Sequence, residues 1–302
     1  MPCYHPIKGF RSREVNPGTG RRPLVFNKKD GFEDLPVEIR CGQCVGCRLD
    51  RSREWAIRCV HEAALYDDNC FVTLTYNDEN LPDPPSLVVR DCQLFMKKLR
   101  RRYEPKKIRF FLCGEYGEMN RRPHYHAILF NHDFEDKVLW QNSSSGSPLY
   151  VSSSLSSLWG LGFCSLGAAT FQSAAYVARY IMKKVTGPMA ASSYEHVSTV
   201  TGECSQLHPE FVTMSRRPGL GKEWLNRFQS DVWPEDFVVV EGKKHRPPRF
   251  YEQQLDDEMF LRQLKRSRVL NGKKHAENNT KDRLKVREKV QEARLTQLVR
   301  KV

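Results

Sequence analysis

His124 and His126 stand two residues apart in the run HYHAILF. The run is apolar and rich in β-formers, so it reads as a strand, and alternation puts both imidazoles on one face. Two imidazoles so placed can chelate one divalent ion. Glu115 lies in LCGEYG, at the end of the preceding apolar run from Ile108 to Cys113. A turn from Gly117 to Pro123 brings the two strands antiparallel and carries Glu115 toward the pair. Two histidines and one carboxylate leave coordination positions open for phosphate oxygens and water. Glu118 is a competing carboxylate, but it falls in the turn. Each piece alone has a plain reading: His-x-His pairs recur by chance, and a strand-end Glu is ordinarily a solvated surface charge.

A second constellation lies in QSAAYVARYIMKKV, Gln172 to Val185, whose spacing predicts a helix. Tyr176 and Tyr180 are four residues apart and share a helix face. Lys184 continues that face, and Lys183 lies three residues beyond Tyr180. A phenol with a free pKa of ~10 becomes a nucleophile only where a cation or metal favours its anion. Attack on a phosphodiester by such a group leaves a phosphotyrosine. Tyrosines four apart also serve simply as half-buried packing.

Cysteines make a third. The chain has ten, and Cys41, Cys44 and Cys47 form CGQCVGC. Three thiolates at this spacing, with glycines between, can wrap one ion as a candidate structural zinc site. The fourth ligand comes from elsewhere, with Cys3, His5, Cys59 and His61 as candidates. An iron–sulfur cluster and free thiols in a tight turn are the competing readings. The opening MPCYHPIKGF lacks the apolar core of a secretory signal, which argues against export and against a disulfide framework.

The elements that must position these groups follow from the hydrophobic pattern. Helices are expected over Ser52 to Tyr66, Asp91 to Tyr103 and Gln172 to Val185. Strands are expected over Phe71 to Tyr76, Ile108 to Cys113, His124 to Phe130 and, more briefly, Phe163 to Leu166. This order predicts an α+β fold, an antiparallel sheet from about Cys70 to Val185 with helices on one face. Residues 1–50 read as irregular structure around the cysteines. Residues 141–157 read as a Ser-rich loop, residues 187–222 as loops, and Trp224 to Trp233 and Tyr251 to Arg268 as helices.

The net charge of +13 is concentrated. From Leu261 to Val302 there are 14 Lys and Arg against 4 Asp and Glu, so the tail reads as a basic helix or disordered arm. Such a segment attracts phosphates in a salt-sensitive, sequence-independent way. No apolar run is long enough to span a membrane.

Together, FVTLTY, HYH and Tyr176-x-x-x-Tyr180-x-x-Lys183 resemble the three motifs of the rolling-circle replication initiators, the HUH endonucleases. The tyrosine pair is similar to their two-tyrosine branch. MPCYHPIKGF, CGQCVGCRLDRSREWAIRC and GEYGEMNRRPHYHAILF are closer still to the initiators of gokushovirus-type microviruses, a likeness that covers roughly residues 1–185.

The resemblance implies an HUH core at 70–190 after a Cys-rich segment and helix at 1–69; beyond it, composition alone suggests a C-terminal extension at 191–260 and the basic tail at 261–302. The resemblance also implies Mg²⁺ or Mn²⁺ on Glu115, His124 and His126. Tyr176 and Tyr180 become the nucleophiles that cut and rejoin single-stranded origin DNA through a 5′-phosphotyrosine. Lys183, or Lys184 in the comparable place, stabilises charge at the phosphate, and Arg121 and Arg122 are candidate DNA contacts. Its partners are the viral origin, as single strand and replicative form, and a host helicase and polymerase in the bacterial cytoplasm. The sequence has no Gly-x-x-x-x-Gly-Lys-Ser/Thr phosphate loop, so no helicase is expected within it. A zinc-stabilised DNA-binding protein without catalysis is the alternative. Relaxases and single-tyrosine transposases fit less well, having another motif order or lacking the tyrosine pair.

Overall fold

The computed structural model describes residues 3–117, 120–143, 146–179, 190–198 and 201–297. These fall into two compact units, one joining residues 3–51 to 262–297 and the other spanning 52–261. Among the described residues no helix is long and apolar enough to cross a membrane.

In the first unit, β1 (Ile7–Ser12) pairs antiparallel with both β2 (Leu24–Val25) and β3 (Gly31–Ile39). Residues 1–50 are therefore not irregular, as the Gly and Pro content led one to expect. Phe10 and Ser12 are buried on this small sheet, and Gly31 packs against Phe10 where a side chain would collide. Helix α1 (Val45–Ala63) starts within the cysteine run. The tail is helical over Glu258–Lys273 and Lys281–Thr296, with Leu284 buried beside Tyr4, Cys44 and Cys47.

The second unit is built on a seven-stranded sheet. Its strands are β4 (Asn69–Thr75), β5 (Arg109–Tyr116), β6 (Pro123–Phe130), β7 (Val138–Asn142), β8 (Pro148–Val151), β9 (Cys164–Ala168) and the strand Phe211–Met214. The spatial order is Phe211–Met214, β5, β6, β4, β9, β8, β7, and every pairing is antiparallel.

Helices cover both faces of this sheet, not one. Val72, Leu74, Leu112, Tyr125 and Leu129 face α2 (Val89–Arg102) and α3 (Ser153–Trp159), which contribute Phe95, Leu99, Leu155 and Trp159. Phe71, Phe111, Cys113, Ile128 and Phe130 face α1 and α4 (Phe171–Arg179), through Ala56, Cys59, Ala174, Val177 and Ala178. The central strands are apolar at consecutive positions, so a single helical layer would leave one face in water. The need to cover that second face puts α1 from Ser52 onward in one compact unit with the sheet. Likewise Phe211–Met214 adds an edge strand to β5, so the sheet draws on the segment expected to form an extension.

The Ser-rich stretch holds a helix. The Ser152 hydroxyl accepts the Leu155 N–H at 3.0 Å and donates to Asp136, capping α3, and Gly160 at φ 68° ends it. Its apolar side buries Leu155 and Trp159 completely. Truncating a Trp so placed costs about 3–5 kcal/mol.

Candidate functional site: a carboxylate between two histidines

Backbone register sets the centre. Glu115 on β5 lies directly opposite His124 on β6, and Thr75 and Thr73 on β4 lie opposite His124 and His126. The intervening Tyr125 points to the other face. It is fully buried, its hydroxyl bonded to that of Tyr76 at 2.8 Å and accepting the Val88 N–H at 2.8 Å. That anchor fixes which way the histidines face.

One carboxylate oxygen, Glu115 Oε1, lies 2.9 Å from Nε2 of His124 and 2.9 Å from Nε2 of His126. Glu115 and His126 are buried, while the His124 side chain is 18% exposed and opens the site to solvent. Burial pushes the Glu115 carboxyl up, but hydrogen bonds from both imidazoles outweigh it and bring the group down to about 2. It is therefore a carboxylate at neutral pH.

The imidazoles are oriented from behind. His124 Nδ1 donates to the Arg122 carbonyl at 3.1 Å, which leaves Nε2 as the ligating nitrogen. His126 Nδ1 is 3.0 Å from the Thr73 hydroxyl, and its ring is stacked on Phe71 at 5.5 Å. Without an ion these two nitrogens serve as hydrogen-bond donors to the carboxylate; deprotonated, each would turn its lone pair toward the same point. The set of two nitrogens and one oxygen suits a divalent cation in that place.

Tyr176 joins this centre from α4. Its ring meets the His126 ring edge-on at 5.1 Å, and the Arg179 guanidinium lies 5.9 Å from its centroid. The helix begins where it does because Thr170 and Ser173 cap one another, each hydroxyl accepting the other's backbone N–H. Ala174, Val177 and Ala178 bury its inner side, and the Ser52 hydroxyl on α1 donates to the Ala175 carbonyl at 3.1 Å. Tyr180, Lys183, Lys184 and Glu118 lie outside the described residues.

Arg122 pairs with Asp78 at 2.5 Å and donates to the Tyr76 carbonyl, so its guanidinium serves the turn before β6. Arg121 is exposed and donates to the Ser193 carbonyl at 3.1 Å.

Away from this centre, Cys41, Cys44 and Cys47 are joined by Cys3, all four sulfurs within 4.8 Å of one another. The other candidate ligands are engaged elsewhere. His5 pairs with Glu288 at 2.7 Å, Cys59 is buried in the sheet core, and His61 bonds the Tyr251 hydroxyl at 2.8 Å.

Thr73, Phe71 and Arg179 also surround the histidines but are not among the site residues the sequence predicts, although FVTLTY contains the first two. The signal for Thr73 was present: it alternates with the apolar residues of FVTLTY, as a strand residue facing a polar site does.

The family described as Replication-associated protein ORF2/G2P matches residues 69–185. Among curated proteins, the chain is 32% identical to the Replication-associated protein VP4 of Bdellovibrio phage phiMH2K, over 83% of this chain and 76% of that protein. It is 32% identical to the Replication-associated protein ORF2 of Spiroplasma virus 4, over 76% and 72%. It is also 32% identical to the Replication-associated protein ORF4 of Chlamydia phage 1, over 74% and 55%. No solved structure matches.

Proposed function

The chain belongs to the phage replication-associated proteins as a microvirus-type replication initiator, and from that premise we propose that it nicks single-stranded DNA at the viral origin by tyrosine attack. The observation that carries the reading is the convergence of His124 Nε2 and His126 Nε2 on Glu115 Oε1, with Tyr176 against His126.

Glu115, His124 and His126 are the residues that would hold Mg²⁺ or Mn²⁺, which when bound polarises the scissile phosphodiester and offsets charge on the leaving oxygen. Tyr176 supplies the nucleophile, and the neighbouring Arg179 cation favours its phenolate. The phenolic oxygen bonds to phosphorus as the bond from phosphorus to the 3′ oxygen breaks. The phenolic proton is released, and the departing oxygen takes one up. The products are a 5′-phosphotyrosine and a free 3′-OH.

Because one ester replaces another, the link keeps its free energy for rejoining. A second tyrosine, Tyr180, then cuts after a full circle, and the freed 3′-OH attacks the first phosphotyrosine. Lys183 and Lys184 add positive charge near the phosphates. The first 3′-OH primes synthesis by a host polymerase while a host helicase separates the strands. These steps belong to the host cytoplasm.

A nicking assay tests this. Labelled single-stranded origin DNA is incubated with Mn²⁺ or Mg²⁺ and wild type, Tyr176→Phe, Tyr180→Phe or the double variant. The expected result is a covalent 5′ adduct that vanishes in the double variant and under chelation. Tight binding of the same DNA with no adduct in either metal would instead favour a DNA-binding protein without catalysis.

A further inference from the structure

The four cysteines are the largest group of potential ligands that the nicking chemistry leaves unused. We propose that Cys3, Cys41, Cys44 and Cys47 bind one Zn²⁺, and that this ion fastens the C-terminal helix Lys281–Thr296 to the N-terminal segment.

Geometry supports the ion. The Cys3 sulfur lies 3.6 Å from that of Cys41 and 4.0 Å from that of Cys44. Zinc holds thiolates at about 2.3 Å, so the edge of its tetrahedron is about 3.8 Å. A disulfide needs sulfurs at about 2.05 Å, far closer than these. An iron–sulfur cluster sits between its cysteines and holds their sulfurs farther apart than a single ion does, whereas these four all lie within 4.8 Å of one another.

Backbone amides are arranged for thiolates as well. The Tyr4 N–H donates to the Cys44 sulfur at 3.3 Å, and the Cys41 N–H to the Cys3 sulfur at 3.2 Å. Gln43 and Cys44 donate theirs to the Cys41 sulfur at 3.4 and 3.3 Å. Gly42, at φ 75°, turns the chain so that these amides point inward. Four thiolates around a divalent ion carry excess negative charge, and such donors offset it.

The helix depends on the same few residues. Leu284 is its buried side chain, held by Tyr4, Cys44 and Cys47. One turn later Glu288 pairs with His5. Tyr4 and His5 directly follow Cys3, so the ligand that closes the site also sets the helix's footing. Residues 1–51 and 262–299 carry 22 Lys and Arg against 10 Asp and Glu, so the ion would organise nearly all of the chain's excess positive charge.

The full-length protein is dialysed against metal-free buffer, and its zinc is measured by plasma mass spectrometry. Cobalt substitution then reports the ligand set by its thiolate charge-transfer and tetrahedral d–d bands. About one zinc per chain and a tetrathiolate cobalt spectrum are expected. Cys44→Ser should bind less than about a tenth of that metal, while Cys204→Ser, at an exposed cysteine outside the cluster, should bind it fully. Hydrogen exchange is compared on wild type before and after chelation, where residues 281–296 should lose protection and the β4–β6 strands should not. Wild type without zinc, or with iron in its place, overturns the metal site. An unchanged cobalt spectrum in Cys3→Ser overturns the fourth ligand. Zinc release that leaves exchange at 281–296 unaltered overturns the fastening. None of these readouts involves nicking, so they stand or fall apart from it.

Discussion

Glu115 sits opposite His124 and diagonal to His126, and a single carboxylate oxygen is 2.9 Å from both imidazoles. Three residues on two paired strands thus share one point, held by ladder hydrogen bonds rather than by loops. Glu115→Gln keeps the shape but removes the charge. The expected outcome is at least ~100-fold weaker nicking at fixed Mn²⁺, with origin DNA still bound. Calorimetric titration with Mn²⁺ should show the matching loss of affinity. A variant that binds Mn²⁺ like wild type would remove Glu115 from the ligand set.

Thr73 acts one step behind. Its hydroxyl partners His126 Nδ1, and Thr73→Val replaces that oxygen with a methyl of similar size. Loss of such an orienting bond typically costs 10–100-fold in metal affinity. The half-saturating Mn²⁺ concentration for nicking should rise by about that factor, while the rate at saturating metal changes much less. A drop in rate with no change in metal requirement would point to a different role.

These two residues also show what the sequence makes legible. Glu115 was reachable because only a short turn joins β5 to β6, so neighbouring strands must pair. Thr73 was not, because the register of β4 against β6 depends on contacts across more than fifty residues of chain. Cys3 was one candidate among four, and nothing local distinguishes it from His5. The second layer of helices went unread because Phe71, Ile128 and Phe130 look like ordinary strand residues until both faces are counted. Helix α3 was hidden by its serines, whose poor helix propensity is overridden by the Ser152 cap and by burial of Leu155 and Trp159.

Acid should loosen the sheet unit through two buried histidines. Burial pushes His61 down to about 3 and His132 to about 4, against an ordinary value near 6.5. Between those values the unfolded chain binds protons that the folded chain refuses. Stability is therefore full above pH ~6.5 and falls as pH drops toward the folded values. At pH 5 each histidine should cost about 2 kcal/mol. His132 packs between Tyr103 and Phe134 with its Nε2 lacking a hydrogen-bond partner, so His132→Phe preserves the aromatic contacts. Urea melts at pH 7 and pH 5 should show the variant losing less stability than wild type by about that amount. Equal losses in both proteins would contradict the assignment.

The basic unit should govern how binding responds to salt. Residues 1–51 and 262–299 hold nearly all of the chain's net charge of +13. Lys281, Lys285 and Lys289 are exposed at intervals of four, a stripe along one side of the last helix. Each lysine on a phosphate of single-stranded DNA adds about 0.7 to the slope of log affinity against log salt. Replacing all three with Gln, which keeps helix propensity, should lower that slope by about 2 on DNA of any sequence. The nicking rate at saturating DNA should hold, because these lysines lie far along the chain from Glu115, His124, His126 and Tyr176. A slope unchanged within error would mean that the stripe meets no phosphate, and that the charge of this unit serves something other than DNA.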